Sequence, residues 1–242
     1  MHVLDHGFVE LVSHTGNDQM VADTARCSYG SKGTPEDNRR LVRYLLGNGH
    51  TSPFRHYFFT FHIKAPLFVF RQWHKYQVGS TWREYEIEGE PMAYGKVDSF
   101  DVQVDTDQGC SWNELSGRYK VMEPEFYMPA EGRRNTGKQA SSSAAELTSI
   151  MKQSLRLTYA KAIQEYEFML DAGVAKELAR LALPPAIYSE AFWTVSLQAT
   201  LHFLEQRLKP DAQLEIRQYA ESVLTLIRPT LTSMGIEPIS PK

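Results

Sequence analysis

Apolar and polar positions along this chain follow two periods, and the switch between them divides it. Phe8 to Val12 is a short apolar-rich run that predicts a strand. Tyr57 to Ile63 is aromatic and β-branched enough for a buried strand, and Ile187 to Val195 predicts a further extended stretch. Between them, Tyr85 and Ile87 alternate with Glu84, Glu86 and Glu88, and Phe100, Val102 and Val104 alternate with Asp101, Gln103 and Asp105. Period-two alternation on both sides of a Gly/Pro-containing connection predicts a β-hairpin with one wet, acidic face at about residues 81–110.

Helical signals surround these stretches. Thr34-Pro35-Glu36-Asp37 offers a cap, a proline at the first helical position and acids suited to the dipole, for a helix to about Leu46 ended by Gly47 and Gly49. His50-Thr51-Ser52-Pro53-Phe54 repeats the cap-plus-proline start, and Pro66 opens a helix through Leu67, Phe70 and Trp73. Leu147, Ile150, Met151, Leu155, Tyr159, Ile163, Tyr166 and Met169 share one side of a long helix from Ala144 to Leu170, which Gly173 ends. A shorter helix carries Lys176, Glu177 and Arg180 to a stop at Pro184-Pro185. Two more are predicted, one through Leu197, Leu201, Leu204 and Leu208 and one from about Gln213 to Ile227. Glu131 to Ser143 is polar, basic and Gly/Ser-containing, which predicts a mobile loop. Strands first and then mostly helices point to an α+β domain.

Composition narrows the class. The 242 residues hold no run of 18 apolar residues, so no membrane span is expected. Met1 to His6 lacks the charged and apolar regions of a signal peptide. Cys27 and Cys110 stand alone without metal-ligand spacing, which argues against a disulfide framework and fits a cytoplasmic location. Asp105-Thr106-Asp107-Gln108-Gly109 resembles a calcium loop but lacks its later glutamate, so no metal is expected. The net charge of −3 gives no footprint for nucleic acid. Residues 81–110 hold eight acids against Arg83 and Lys96, so the rest of the chain is mildly basic, as suits an anionic small ligand.

The densest chemistry is Ser111-Trp112-Asn113-Glu114-Leu115-Ser116-Gly117-Arg118-Tyr119. Ser-Gly-Arg can present successive backbone N–H groups beside a guanidinium fork, a cradle for a phosphate dianion. Ser111 and Glu114 also stand in capping-box spacing, so the same residues could simply start a helix. Lys75, Arg118, Arg180 and Arg207 come from four separate elements; each alone reads equally as a solvated side chain, whereas together they would clamp a phosphate and stabilise charge developing on a ring. Ser116 is a candidate nucleophile, but no histidine lies near it in sequence and a hydrogen-bonding role is favoured.

Arg71-Gln72-Trp73, followed after an interruption by Asn113 to Tyr119, resembles the flavin-dependent thymidylate synthases. The likeness covers nearly all the chain outside the hairpin: Gly7 to Val12, Gly16 to Asp18, Ala25 to Ser28, Gly49 to Phe54, Phe59 to Pro66, Ala179-Arg180, Leu183-Pro184, Phe192 to Val195 and Glu215 to Ala220. It implies one domain over residues 1–242 with a central, mostly antiparallel sheet packed by long helices, interrupted by the hairpin. It also implies a cytoplasmic homotetramer with shared active sites that binds neither nucleic acid nor membrane. The implied chemistry moves a one-carbon unit from methylenetetrahydrofolate to C5 of dUMP, with FAD and NADPH supplying the reduction to dTMP.

By the same resemblance, dUMP contacts fall on Gln72, Lys75 (arginine in the family), Glu114, Leu115, Ser116, Gly117, Arg118 and Arg180. Arg207 matches the arginine assigned to the pyrimidine, so Arg207 and Ser116 are the catalytic candidates. The flavin side departs from the pattern. Where the family has Arg-His-Arg and a serine after seven further residues, this chain has Lys75-Tyr76-Gln77, with Ser116 much farther away. Positions usually filled by Asn, Arg and Asn are Ser196, Gln198 and His202, and a usual glutamate is Arg55. Cofactor contacts then fall on Ser28, Ser52, Arg55, Tyr76, Gln77, Val78, Ser196, Gln198 and His202; His202 reads equally as a helix-surface histidine. The lost donors leave two alternatives open: a flavin-weak or flavin-independent pyrimidine-nucleotide hydroxymethylase, or an inactive nucleotide-binding homologue.

Overall fold

The computed structural model describes residues 1–27, 30, 32–74, 110–134, 143–145 and 148–237. The predicted hairpin therefore lies outside the described residues except at Cys110, and so do Ser28, Lys75, Tyr76, Gln77 and Val78. Five strands form one antiparallel sheet: β1 (His2–Val3), β2 (Gly7–Thr15), β3 (Phe58–Pro66), β4 (Cys110–Glu114) and β7 (Tyr188–Ser196), in the order β1-β2-β3-β7-β4. The pairing of β3 with β7 runs unbroken from Phe58↔Ser196 to Pro66↔Tyr188. Burial along β3 alternates as its period-two sequence requires: Phe59, Phe61, Ile63 and Ala65 are buried, whereas Phe58, Thr60, His62 and Lys64 are only partly covered.

Helices α2 (Pro35–Gly47), α3 (Leu67–His74), α6 (Leu197–Arg207) and α7 (Leu214–Ser233) pack on the buried face. Helix α2 starts as its sequence demands, with Thr34 and Asp37 in a reciprocal capping box and Pro35 in the first turn. Beneath the sheet, the Trp73 ring stacks on Phe203 at 4.7 Å and meets Trp193 edge-on at 5.2 Å. A second, smaller core gathers Met122, Phe126, Tyr166, Ala179 and Ile187 under the long helix α4 (Ser149–Asp171), which is followed by the single helical turn α5 (Lys176–Ala179). Two anchors tie the segment after β4 to this core: Met122 N donates to Tyr166 Oη at 3.0 Å, and Phe126 stacks on Tyr159.

Several sequence expectations need correction. Ser111 to Glu114 is not a helix start but part of strand β4, because Trp112 pairs with Trp193 across the sheet. Ala144 does not begin a helix; β5 (Gly132–Arg134) and β6 (Ser143–Ala145) pair at the borders of the predicted loop, and α4 starts only after Thr148, whose hydroxyl accepts from Met151 N. The last helix continues past Pro229 to Ser233, because Leu231 still has core to bury. His50 to Phe54 yields only a 3-10 turn, Ser52–His56. Helix α1 (Asp18–Ala25), capped by Asn17, was not expected.

Candidate functional site

Among the described residues β4 is an edge strand, and it carries the first part of the segment singled out above, Ser111 to Glu114. Leu115 N donates to Glu190 O at 2.8 Å, which extends the β7 contact one residue beyond the strand. The chain then turns tightly: Ser116 Oγ accepts from Arg118 N at 3.3 Å, and Ser116 O accepts from Tyr119 N and Lys120 N. Gly117 is buried at this turn, and a Cβ there would lie 3.1 Å from Arg180 Cδ and 3.3 Å from Met122 Sδ. Absence of a side chain thus lets the Arg180 stem cross the loop.

Helical turn α5 holds the loop from the other side. Arg118 Nε donates to Glu177 Oε2 at 2.9 Å, Lys176 Nζ donates to Tyr119 O, and Arg180 Nε donates to Glu177 O. Both arginines are solvent-exposed, so the Arg118–Glu177 pair adds little stability and serves mainly to orient the guanidinium. Glu114, Leu115, Gly117 and Arg180 line one cleft of about 80 Å³ together with Met122 and Ser189. Ser189 Oγ lies 3.5 Å from Glu114 Oε1.

Gln72 and Arg207 form a second group and are not among the lining residues of that cleft. Arg207 is buried, and one of its terminal nitrogens donates to the Gln72 carbonyl at 2.6 Å. The Gln72 side-chain amide donates to Gln213 Oε1, and Gln213 Nε2 donates to Glu215 Oε2 at 2.8 Å. Glu215 is 1 % exposed; its other oxygen accepts from Tyr127 Oη and the Arg133 guanidinium. Burial alone would push the Glu215 carboxyl up, but hydrogen bonds from Arg133, Gln213, its own backbone and Tyr127 outweigh it and hold the group below its ordinary value.

The described flavin-side candidates gather at the opposite end of the sheet. Ser52 and Arg55 lie in the turn before β3, and Gln198 and His202 lie on α6. Arg55 Nε donates to Gln198 Oε1 at 2.6 Å. Ser196 is buried and caps α6, its hydroxyl accepting from Ala199 N. An exposed guanidinium beside a helix N-terminus, with an amide and an imidazole on the first turns, is a donor set that fits a dinucleotide pyrophosphate. Along β7 the β4 loop departs opposite Glu190 and this group begins at Ser196, six residues on, roughly 20 Å at about 3.4 Å per step.

Glu177, Gln213 and Glu215 escaped the sequence reading. Glu177 is 59 residues from Arg118, so no local spacing signals the pair. Glu215 opens the stretch Glu215 to Ala220 that carries part of the family likeness, but nothing in that stretch says which residue it faces.

Comparison with known proteins agrees with this architecture. The family profile described as "Thymidylate synthase complementing protein" matches residues 10–86 and 101–231. The unmatched residues 87–100 fall within the expected insertion. A flavin-dependent thymidylate synthase of Thermus thermophilus is 37% identical over 229 residues, covering 93% of this chain and 73% of that protein. That of Thermotoga neapolitana is 36% identical over 228 residues, covering 93% and 88%. Among solved structures, the UMP/dUMP methylase PolB from Streptomyces cacaoi, bound with 5-Br dUMP, superposes with a TM-score of 0.75 at 27% identity and full coverage of both chains. Its complex with 5-Br UMP gives 0.70 at 27% identity, covering 98% of this chain and 99% of that one. The chain belongs to the flavin-dependent thymidylate synthase family.

Proposed function

We propose that this protein transfers the methylene carbon of methylenetetrahydrofolate to C5 of dUMP and completes it to a methyl group, giving dTMP. The observation that carries this reading is the meeting of Glu114, Leu115, Gly117 and Arg180 in one cleft, with Arg118 next in the loop and oriented by Glu177. Arg118 and Arg180 would bind the phosphate, each charge-assisted contact contributing about 1.5–3 kcal/mol. Ser116 would donate its hydroxyl proton to the nucleotide, since its lone pair already accepts from Arg118 N. Lys75, next to the Gln72 helix in sequence, would add a further cation. Arg207, buried and therefore in a low-dielectric setting, would stabilise the negative charge that must develop on the uracil for C5 to act as a nucleophile.

In the balanced reaction both folate nitrogen–carbon bonds of the methylene break. One is replaced by the bond to C5 and the other by a C–H bond made with a hydride from NADPH. The C5 proton and one further proton from solvent balance the two N–H groups of the released folate. FAD, when bound, would carry that hydride. Arg55, Gln198, His202 and Ser52 would hold it, with Ser28, Tyr76, Gln77 and Val78 adjoining and Ser196 acting through the α6 cap. Among the described residues, no helix is long and apolar enough to cross a membrane. We take the setting to be the cytoplasm, where the co-substrates are small anions.

Gln72 and Arg207 lie outside the cleft of the β4 loop and the cofactor-side group lies at the opposite end of the sheet, so a single chain does not gather all the assigned residues around one nucleotide. Complete sites therefore require more than one copy, and a homotetramer with shared sites satisfies that requirement. The sheet face that no described element covers supports self-association: His62 stacks on Phe192 at 4.5 Å and meets Phe8 edge-on, and Phe192 is 46% exposed. Mixing Arg118→Ala chains with chains carrying both Arg55→Ala and His202→Ala tests this. Sites built from two copies regain part of the activity on mixing; activity that stays at the sum of the separate variants refutes the shared site.

For the reaction itself, titration of the purified protein with dUMP and its absorption spectrum are the first checks. Saturable dUMP binding by a yellow protein supports the reading. A colourless protein that still binds dUMP would remove the flavin and leave hydroxymethyl transfer, and no binding would remove the function.

A further inference from the structure

We propose that the outer face of helix α4 is a self-association surface, on which a second copy of this chain seats its own α4 antiparallel. The inference goes beyond the reaction proposed above and rests on that reading only for the number of copies. A homotetramer closed by two-fold axes uses two different interfaces, and the sheet face described above supplies one of them.

Helix α4 has 23 residues, a length of about 34 Å, yet Tyr166 is its one buried residue. Its inner face, with Tyr159, Ile163 and Tyr166, closes the smaller core. At about 100° per residue, Ile150, Leu157 and Phe168 fall within about 20° of a single line, and that line runs about 160° away from Tyr166. The three side chains are 76%, 65% and 68% exposed. The helix is thus apolar on two opposite faces, a pattern that belongs to a helix covered on both.

The charges of α4 oppose its own dipole. Lys152, Arg156 and Lys161 occupy the N-terminal part, and Glu165, Glu167 and Asp171 the C-terminal part, whereas the macrodipole favours the reverse. Helix α2 by contrast opens on Glu36 and Asp37, as the dipole asks. Among the described residues, Arg156, Lys161, Glu165, Glu167 and Asp171 take part in no ion pair, and Lys152 Nζ donates to Ala130 O at 3.2 Å.

An antiparallel second copy resolves both features. It lays the basic part of each helix along the acidic part of the other and sets the two dipoles in opposition; a parallel copy would lay like charge on like. The apolar line is self-complementary in the same sense. Tyr159 lies midway between Ile150 and Phe168, so a two-fold axis at that level brings Ile150 of each copy onto Phe168 of the other, with Leu157 close to the axis. Charge and shape select the same occupant in the same orientation.

Sedimentation velocity of the full chain without nucleotide tests this. It compares wild type, Leu157→Glu, Arg156→Glu/Lys161→Glu, Glu165→Lys/Glu167→Lys and the variant combining all four charge changes. Leu157→Glu is expected to halve the mass of the assembly. Each charge reversal should weaken association about tenfold at low salt. The combined variant should restore it, because the basic and acidic parts have only changed places. These side chains are exposed in the single chain, so the core is left intact, and circular dichroism checks that it is. If Leu157→Glu fails to fold, the charge variants decide the matter. An unchanged mass for Leu157→Glu, or a combined variant that associates no better than either reversal, would overturn the inference. A wild type that sediments as a single chain would overturn it together with the shared site. An assembly that Phe192→Glu dissociates and Leu157→Glu does not would overturn the α4 pairing alone. The dUMP titration is read separately, so failure of the reaction leaves this result standing.

Discussion

Gly117→Ala separates the stability of the nucleotide loop from its function. The new Cβ would stand 3.1 Å from Arg180 Cδ and 3.3 Å from Met122 Sδ, so its neighbours must give by a few tenths of an ångström. The atom in the way belongs to a flexible arginine stem, which puts the steric cost at the low end of overpacking, about 1 kcal/mol. The backbone at Gly117 is not in the left-handed region, so alanine is tolerated there and restricts the unfolded chain, a gain of about 0.4–1 kcal/mol. The two nearly cancel, and stability should change by no more than about 1 kcal/mol. Binding should not be spared. Displacing Arg180 forfeits about half of a charge-assisted contact worth about 1.5–3 kcal/mol, a loss of roughly three- to tenfold in dUMP affinity. Urea unfolding and a dUMP titration on the same preparation measure both. Unchanged affinity would refute the placing of Arg180 over the nucleotide, and a stability loss above about 3 kcal/mol would show that the loop is part of the core instead.

Arg118→Ala should lower dUMP affinity about tenfold or more while leaving the unfolding midpoint nearly unchanged, because its only described ion pair is the exposed one with Glu177; an unchanged dissociation constant would remove the phosphate-loop assignment. The Glu215 carboxyl is held below its unfolded value of about 4.5, so the unfolded chain takes up the proton first as pH falls. Its contribution to stability is full above about pH 4.5 and is lost as pH falls through the folded value; unfolding midpoints from pH 7 to 3 should show an acid limb that Glu215→Gln flattens. Removal of residues 81–110 should leave a folded protein by circular dichroism and thermal melting if the stretch is an insertion, and aggregation on deletion would count against that.

How much of this was legible depends on where each signal sits. The start of α2 was readable because Thr34, Pro35 and Asp37 act on neighbouring backbone, and the capping box formed as the spacing required. The leucines of α6 and the extended run before them were equally readable, since burial on one face imposes its own period. Ser111 to Glu114 was misleading because capping-box spacing is indifferent to the strand lying alongside; only the register with β7 makes it β4. The last helix was expected to end near Ile227, but the burial of Leu231 carries α7 through Pro229 to Ser233. In the site, residue types pointed to phosphate and pyrimidine, yet sequence could not reveal that the flavin-side residues stand at the far end of the sheet from the β4 loop. Nor could it couple Glu177 to Arg118 or Glu215 to Gln72, because these contacts join distant elements.

The most direct test of the central claim is the product formed from dUMP by the purified protein with FAD, methylenetetrahydrofolate and NADPH. The expected product is dTMP, with release of tritium from C5-labelled dUMP that depends on the folate and is abolished by Arg207→Ala. Tritium release that yields a 5-hydroxymethyl nucleotide, or no release with any combination of the cofactors, would contradict it.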